Sequence, residues 1–299
     1  MLGKYDLVLP INTSDPSFLT HHSKIIFSGG ETHINLNQSV TPGQYKNVLV
    51  RAHINSAETL METIHVLDAL RWRGISPDLF LPYFPYSRAD RLVGNGGGDS
   101  FGLALFADML YGLCDEIITL DMHSTKGMEV VCNRVDAVFV NIIPYEIFIN
   151  TLVKKHNMQS YCLVSPDEGA EQKVALYAEK LKVPHFKIKK VRDQEKKGKI
   201  VKYEAINEFV PCDHAIILDD ICDGGATFLM AASCIPRPTK LHLGVTHGIF
   251  SKGLSVLWYG GFESVITTDS FAQHKNAYKD LHVIGVDECL KLRQGNIGL

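Results

Sequence analysis

Apolar runs of strand length alternate with segments of helical period from Asn47 to Phe250. That alternation restricts the chain to a layered α/β architecture built on parallel strands. "NVLVRAH" (Asn47 to His53) precedes "SAETLMETIHVLDALRWRG", in which Leu60, Ile64, Leu67 and Leu70 share one helical face and Gly74 follows as a stop. "DLFLPYFPY" reads as a strand, "GLALFADMLYGLCD" as a helix and "EIITLDMHS" as a strand again. The second half repeats the grammar. "YCLVSPDEGA" is a strand ending in a polar turn, "EQKVALYAEKLKV" a helix, "FKIKKV" and "HAIILDD" strands, "ATFLMAASCI" a helix and "KLHLGVTHGIF" a strand.

A chain of 299 residues suits two domains of ordinary size. We expect them at residues 1–142 and 143–299, with the boundary near "IIPYEIFINTLVKKHN"; the halves share a strand–turn–helix logic without a short tandem repeat. Hydrophobic residues make up 45% and charged residues 21%, and no apolar run is long enough to span a bilayer, so a globular protein without a membrane role is expected. The net charge of -3 supplies no global field for nucleic acid, so any anionic ligand must be held by local arrangement. The start "MLGKYDLVLP" lacks the basic and apolar regions of a secretion signal, and the seven cysteines lack CxxC spacing. They are expected to be reduced thiols in a cytoplasmic protein, with Cys114 and Cys222 acting as small buried apolar groups. "DQEKKGKIVKYE" (Asp193 to Glu204), polar and lysine-rich, reads as an exposed mobile segment whose plain form is a solvated hairpin.

Open parallel sheets bind ligands at the carboxyl ends of their strands. Four such ends are polar here: "DMHS" (Asp121 to Ser124), "SPDEGA" (Ser165 to Ala170), "DDICDGGATF" and "THG" (Thr246 to Gly248). In the third, the apolar run Ala215 to Leu218 meets Asp219 and Asp220. Adjacent carboxylates after a buried strand need cations or hydroxyl donors, and a ribose diol with magnesium would supply both. Gly224 and Gly225 allow backbone N–H groups to converge on an anion, while Thr227 can cap the next helix or donate to phosphate. An Asp-rich turn with an Asx cap is the plain alternative.

Asp219 to Thr227 resembles the ribose-phosphate signature of phosphoribosyltransferase-type folds. The chain as a whole resembles the ribose-phosphate diphosphokinases, also called phosphoribosyl diphosphate synthetases. The resemblance rests on "FSGGE" (Phe27 to Glu31), "PYFPYSRADR" (Pro82 to Arg91), "LDMHS", "VSPDEGA", the Lys-x-Arg of "KKVR", the signature itself and "THGIFS" (Thr246 to Ser251), in family order over nearly the whole chain. It implies two phosphoribosyltransferase-like domains, each a mostly parallel sheet flanked by helices. The implied site lies at the strand ends of the second and is completed by residues of the first. The implied reaction is transfer of the diphosphoryl group of ATP to the anomeric hydroxyl of ribose 5-phosphate, with Mg2+ and release of AMP, in a homo-oligomer of nucleotide biosynthesis.

By this resemblance His123 and Asp167 stand at the metal, and Phe27, Glu31, Arg88, Asp90, Arg91 and His123 bind the nucleotide. Lys190 and Arg192 are the catalytic cations. Asp219 and Asp220 hold the ribose hydroxyls, and Asp223, Gly224, Gly225, Ala226 and Thr227 hold the 5-phosphate. Physical chemistry fits these roles: guanidinium groups pair with phosphate and stack on adenine, and strand residues at i and i+2 face one side. Each role has a plain counterpart: His123 as a capping or core histidine, Asp167 as an Asx turn, and the arginines as surface partners of Asp90.

The chain departs from the family pattern at substrate-reading positions. Gly224 and Ala226 replace a threonine and a glycine of the signature, and Gly29 replaces an acid or amide. Ala89 replaces a glutamine, and "LVGNGGGDS" stands where basic residues are usual. Loss of a hydroxyl donor and apparent room at Gly224 raise a second expectation, a 5-extended acceptor such as ADP-ribose, with a place in NAD metabolism. Two further alternatives are an ordinary phosphoribosyltransferase and a catalytically inactive regulatory subunit.

Overall fold

The computed structural model describes residues 4–12, 21–92, 98–193, 199–273 and 280–294. The chain divides into two units, Met1–Ile142 with Leu290–Leu299, and Ile143–Cys289. The closing segment therefore goes with the first unit rather than the second. Among its contacts, Arg293 Nη1 donates to Glu116 Oε2 at 2.6 Å, and Nη2 donates to the other carboxylate oxygen.

The sheet of the first unit has five parallel strands, β1 (Leu7–Ile11), β4 (Val48–Ala52), β5 (Pro77–Leu81), β6 (Glu116–Leu120) and β7 (Val138–Ile142), in the order β1-β4-β5-β6-β7. β4 and β6 are buried at every position, as strands covered on both faces must be. Helix α1 (Ala57–Trp72) starts at Ser56, whose hydroxyl accepts from Thr59 N while Thr59 Oγ1 accepts from Ser56 N, a reciprocal cap. It buries Leu60, Leu67 and Leu70, with Ile64 packed at the margin of the core. Helices α2 (Gly102–Leu110) and α3 (Thr125–Cys132) complete the layer, and β2 (His22–Ile26) pairs with β3 (Thr32–Leu36) as a separate antiparallel hairpin. Lys24 of β2 bonds to Glu58 and Glu62 of α1 at 2.7 and 2.8 Å, which ties the hairpin to the helix.

The second unit opens with α4 (Tyr145–His156), so the segment expected to mark the boundary is a helix. Its buried Tyr145, Phe148, Ile149 and Leu152 are core. Seven strands follow in the spatial order β10-β9-β8-β11-β12-β13-β14. They are β8 (Tyr161–Ser165), β9 (His185–Asp193), β10 (Lys199–Ala205), β11 (His214–Cys222), β12 (Lys240–Gly248), β13 (Phe262–Thr268) and β14 (Leu281–Ile284). All neighbours run parallel except β10 against β9. The lysine-rich stretch is thus a hairpin whose two arms are strands, with residues 194–198 outside the described part. Helices α5 (Glu168–Leu181), α6 (Ala226–Ala232), α7 (Ser255–Tyr259) and α8 (Val286–Cys289) make the connections. Each unit carries a mostly parallel sheet flanked by helices, as the sequence leads one to expect.

All seven cysteines are free thiols, with Cys114 and Cys222 buried. Burial pushes the Cys222 thiol up to about 12 and the His242 imidazole down to about 3, so both stand neutral in the core. No helix among the described residues is long and apolar enough to cross a membrane.

Candidate active site

Chain direction locates the site in the second unit. From β8 the chain crosses through α5 to β9 on one side, whereas from β11 it crosses through α6 to β12 on the other. The strand order therefore reverses between β8 and β11, and a crevice opens at their carboxyl ends. Asp167 follows β8, and Asp219 and Asp220 lie in the second half of β11, which runs on to Cys222.

Asp167 is the N-cap of α5. Its Oδ1 accepts from Gly169 N at 2.9 Å and Ala170 N at 3.2 Å, while Oδ2 takes the ammonium of Lys190. The plain Asx reading holds for Oδ1, and Oδ2 forms an ion pair with Lys190. Burial, then the charges of Asp220 and Asp167, push the Asp219 carboxyl well above its usual range. Asp220 N donates to Asp219 Oδ1 at 2.9 Å, and the Asp220 side chain is buried. The three carboxyls feel one another's charge, but among the described residues their oxygens do not close into a cation-sized group, and both oxygens of Asp167 already have partners.

The glycine loop is held from β12. Ile249 N and Phe250 N donate to Cys222 O at 2.9 and 3.1 Å, Ser251 N donates to Asp223 O at 3.1 Å, and Ser251 Oγ donates to Asp223 Oδ1 at 2.5 Å. "THGIFS" therefore serves here as the dock on which the loop rests. Gly225 has φ +80°, and a Cβ there would also lie 3.3 Å from Leu257 Cδ2. Gly225→Ala is expected to cost about 1–2 kcal/mol for the left-handed backbone alone, read as a lower midpoint in urea unfolding; an unchanged midpoint would show that the loop relaxes freely. Thr227 Oγ1 lies 3.5 Å from the hydroxyl of Tyr203 on β10.

Lys190 and Arg192 lie two residues apart on β9, opposite Tyr203 and Ile200 of β10, so their backbone positions share a face. Only the Lys190 side chain lies within the described part.

In the first unit the expected nucleotide residues sit in loops after β5 and β6 and in the β2–β3 turn. Asp90 is buried and accepts from Arg91 Nε at 2.7 Å, from Arg91 Nη2 at 3.0 Å and from Ser124 Oγ at 2.6 Å. The Arg91 guanidinium, with Ser124, holds the Asp90 carboxyl below its usual range against the opposing effect of burial. This is the Asp90 pairing named above as the plain counterpart, and it makes Asp90 a positioning group for Arg91; Arg88 is exposed. His123 lies between Asp121, at φ 41°, and Ser124, which caps α3 through Gly127 N at 2.9 Å. Phe27 and Glu31 close the hairpin through Phe27 N to Glu31 O at 2.9 Å, with Phe27 exposed beside the His33 ring.

No family model matches the chain. The ribose-phosphate pyrophosphokinase of Corynebacterium glutamicum is 27% identical over 268 residues, covering 87% of this chain and 79% of that protein. That of Mycoplasma genitalium is 27% identical over 289 residues, covering 92% and 81%. The chain is similar to the ribose-phosphate pyrophosphokinases over most of its length. The crystal structure of a phosphoribosylpyrophosphate synthetase from Mycobacterium smegmatis has the same fold, with a TM-score of 0.76 at 19% identity over 97% of this chain and 99% of that one.

Within a pyrophosphokinase-like chain, two departures acquire a physical reason. A Cβ at Gly29 would come 2.5 Å from Glu31 Oε2, so the Glu31 carboxylate lies where a side chain at 29 would stand. At Gly224 the expected free room is absent. A Cβ there would lie 3.3 Å from Lys252 Cε, 3.4 Å from Cδ and 3.6 Å from Cγ, so the lysine stem covers the glycine. Sequence reasoning passed over Lys252, although it directly follows "THGIFS"; a cation one residue beyond a loop-docking motif was the available signal. Tyr203 carried no such signal, because its place beside Thr227 depends on the β9–β10 pairing.

Proposed function

We propose that the protein transfers the β,γ-diphosphoryl group of ATP to the anomeric hydroxyl of ribose 5-phosphate and releases AMP. The observation that carries this reading is the convergence at one strand reversal of the Asp219–Asp220 pair, the docked glycine loop and the Lys190–Asp167 ion pair. Asp219 and Asp220 orient the ribose hydroxyls, and the loop from Asp223 to Thr227, with Ala226 in its turn, receives the 5-phosphate. Lys190 and Arg192 meet the charge that develops as the diphosphoryl group moves. Phe27, Glu31, Arg88, Arg91 and His123 take the nucleotide, with Asp90 fixing Arg91. Mg2+ bound with the nucleotide would neutralise phosphate oxygens. The exposed Ile25, Ile26 and Phe27 of the hairpin support an oligomeric assembly.

Lys252 takes up the space at Gly224 and places an ammonium beside the phosphate loop, in place of the hydroxyl that the loop lacks. Nothing at Gly224 therefore favours ADP-ribose over ribose 5-phosphate. An acceptor panel with ATP and Mg2+, read as AMP release, is expected to show ribose 5-phosphate far ahead of ADP-ribose. Preference for ADP-ribose would overturn the acceptor, and absence of AMP with every acceptor would overturn the reaction. Release of pyrophosphate from phosphoribosyl diphosphate with a base would favour the phosphoribosyltransferase reading instead. Lys252→Ala is expected to raise KM for ribose 5-phosphate about tenfold, the value of one charged hydrogen bond, with kcat nearly unchanged. Equal KM values would remove Lys252 from the site.

A further inference from the structure

The amino ends of the strands in the second unit, opposite the phosphate loop, carry a separate cluster. His156 ends α4, His242 lies near the start of β12 and Glu263 near the start of β13; one ligating atom from each lies within 4.8 Å of the others. The His156 and His242 ring centroids are 4.5 Å apart. His214, the first residue of β11, places Nδ1 2.9 Å from His242 Nε2, and His242 Nδ1 lies 2.7 Å from Ser264 Oγ.

A hydrogen-bonded histidine ladder explains His214, His242 and Ser264. It leaves His156 unexplained. The Nε2 atom of His156 is buried and has no hydrogen-bond partner among the described residues, an arrangement that costs stability unless something binds there. Glu263 is exposed and faces Lys240 at 3.9 Å, so its carboxylate can turn inward without breaking core packing.

We propose that His156, His242 and Glu263, with His214 as the fourth donor, form a binding site for a borderline divalent transition cation of the zinc class. Imidazole nitrogens with one carboxylate are a donor set for zinc or cobalt rather than for magnesium, which prefers oxygen. Bonds of roughly 2.0–2.1 Å put tetrahedral donors about 3.3 Å apart. The His214–His242 pair already stands close to that spacing. His156, at a helix end, and Glu263, at the surface, need only side-chain rotations to reach it. Ser264 takes the part of the outer partner that accepts the other ring N–H and fixes the tautomer of His242. The cation would clamp α4 to β12 and β13, a structural site remote from the phosphate loop.

The test uses the full chain, stripped with chelator and titrated with Co2+ and then Zn2+. Wild type is expected to bind one equivalent of Co2+ with the visible absorption of a tetrahedral nitrogen–oxygen site, to lose that spectrum to Zn2+, and to melt at a higher temperature with Zn2+. Glu263→Gln and His156→Ala, both at positions outside the fully buried core, should melt like wild type without metal. Each should lose at least tenfold in Co2+ affinity. Asp167→Asn should keep the spectrum, which separates this site from the phosphate crevice. The proposal is overturned if wild type binds no stoichiometric Co2+, if both cluster variants keep the wild-type spectrum and melting shift, or if Asp167→Asn abolishes them.

Discussion

Replacing Lys190 with alanine is expected to lower kcat by about 10²–10³-fold, the effect of removing one preorganised transition-state donor, while KM for ATP changes little. Lys190 is paired with Asp167 and stands on a strand one position removed from the sheet reversal. An ammonium already satisfied by a carboxylate adds little to ground-state nucleotide binding. Its value appears when charge builds on the transferring group. Steady-state kinetics over ATP concentration reads the split, and Lys190→Arg should recover part of the rate. If KM for ATP rises as much as kcat falls, Lys190 is a ground-state phosphate contact. Because Asp167 also caps α5, a melting curve is needed beside the kinetics; a large loss of stability would assign the effect to the helix cap instead.

Asp220→Asn is expected to raise KM for ribose 5-phosphate by roughly 10–100-fold, the value of a charged hydrogen bond to a sugar hydroxyl. A second consequence follows from the crowding of carboxylates. Burial is the main cause of the raised Asp219 pKa and the Asp220 charge the next, so removing that charge lets Asp219 ionise at lower pH. The acid limb of the kcat/KM profile should therefore move to lower pH in the variant. An unchanged limb with unchanged KM would place the acceptor away from this pair.

Much of this was legible in the chain itself. Strands and helices announce themselves through local period, which is why the α1 stripe and the β11 apolar run fall where the residues suggest, while α5 starts at Glu168, within the stretch read as a polar turn. The glycine loop was legible for the same reason: two glycines between a carboxylate and a threonine constrain backbone conformation within a few residues. Less legible was the place of the helix at the domain boundary, because a local period does not say which sheet a helix packs on. The boundary expected near "IIPYEIFINTLVKKHN" falls at Ile143, and the segment after it is α4, which buries Tyr145, Phe148, Ile149 and Leu152 on one face.

What the sequence by itself determined is the parallel α/β class, the residues that stand at strand ends and the kinship of the motifs. Each is a matter of local pattern or order along the chain. Only the tertiary structure decided that β8 and β11 are neighbours at a strand reversal, so that Asp167 and Asp219 share one crevice. It also decided that Arg91 is bound to Asp90, that Lys252 covers Gly224, and that His156, His214, His242 and Glu263 meet at the other end of the sheet. Those contacts are set by strand order and register, which depend on how whole elements pack and leave no periodic trace in the residues that they join.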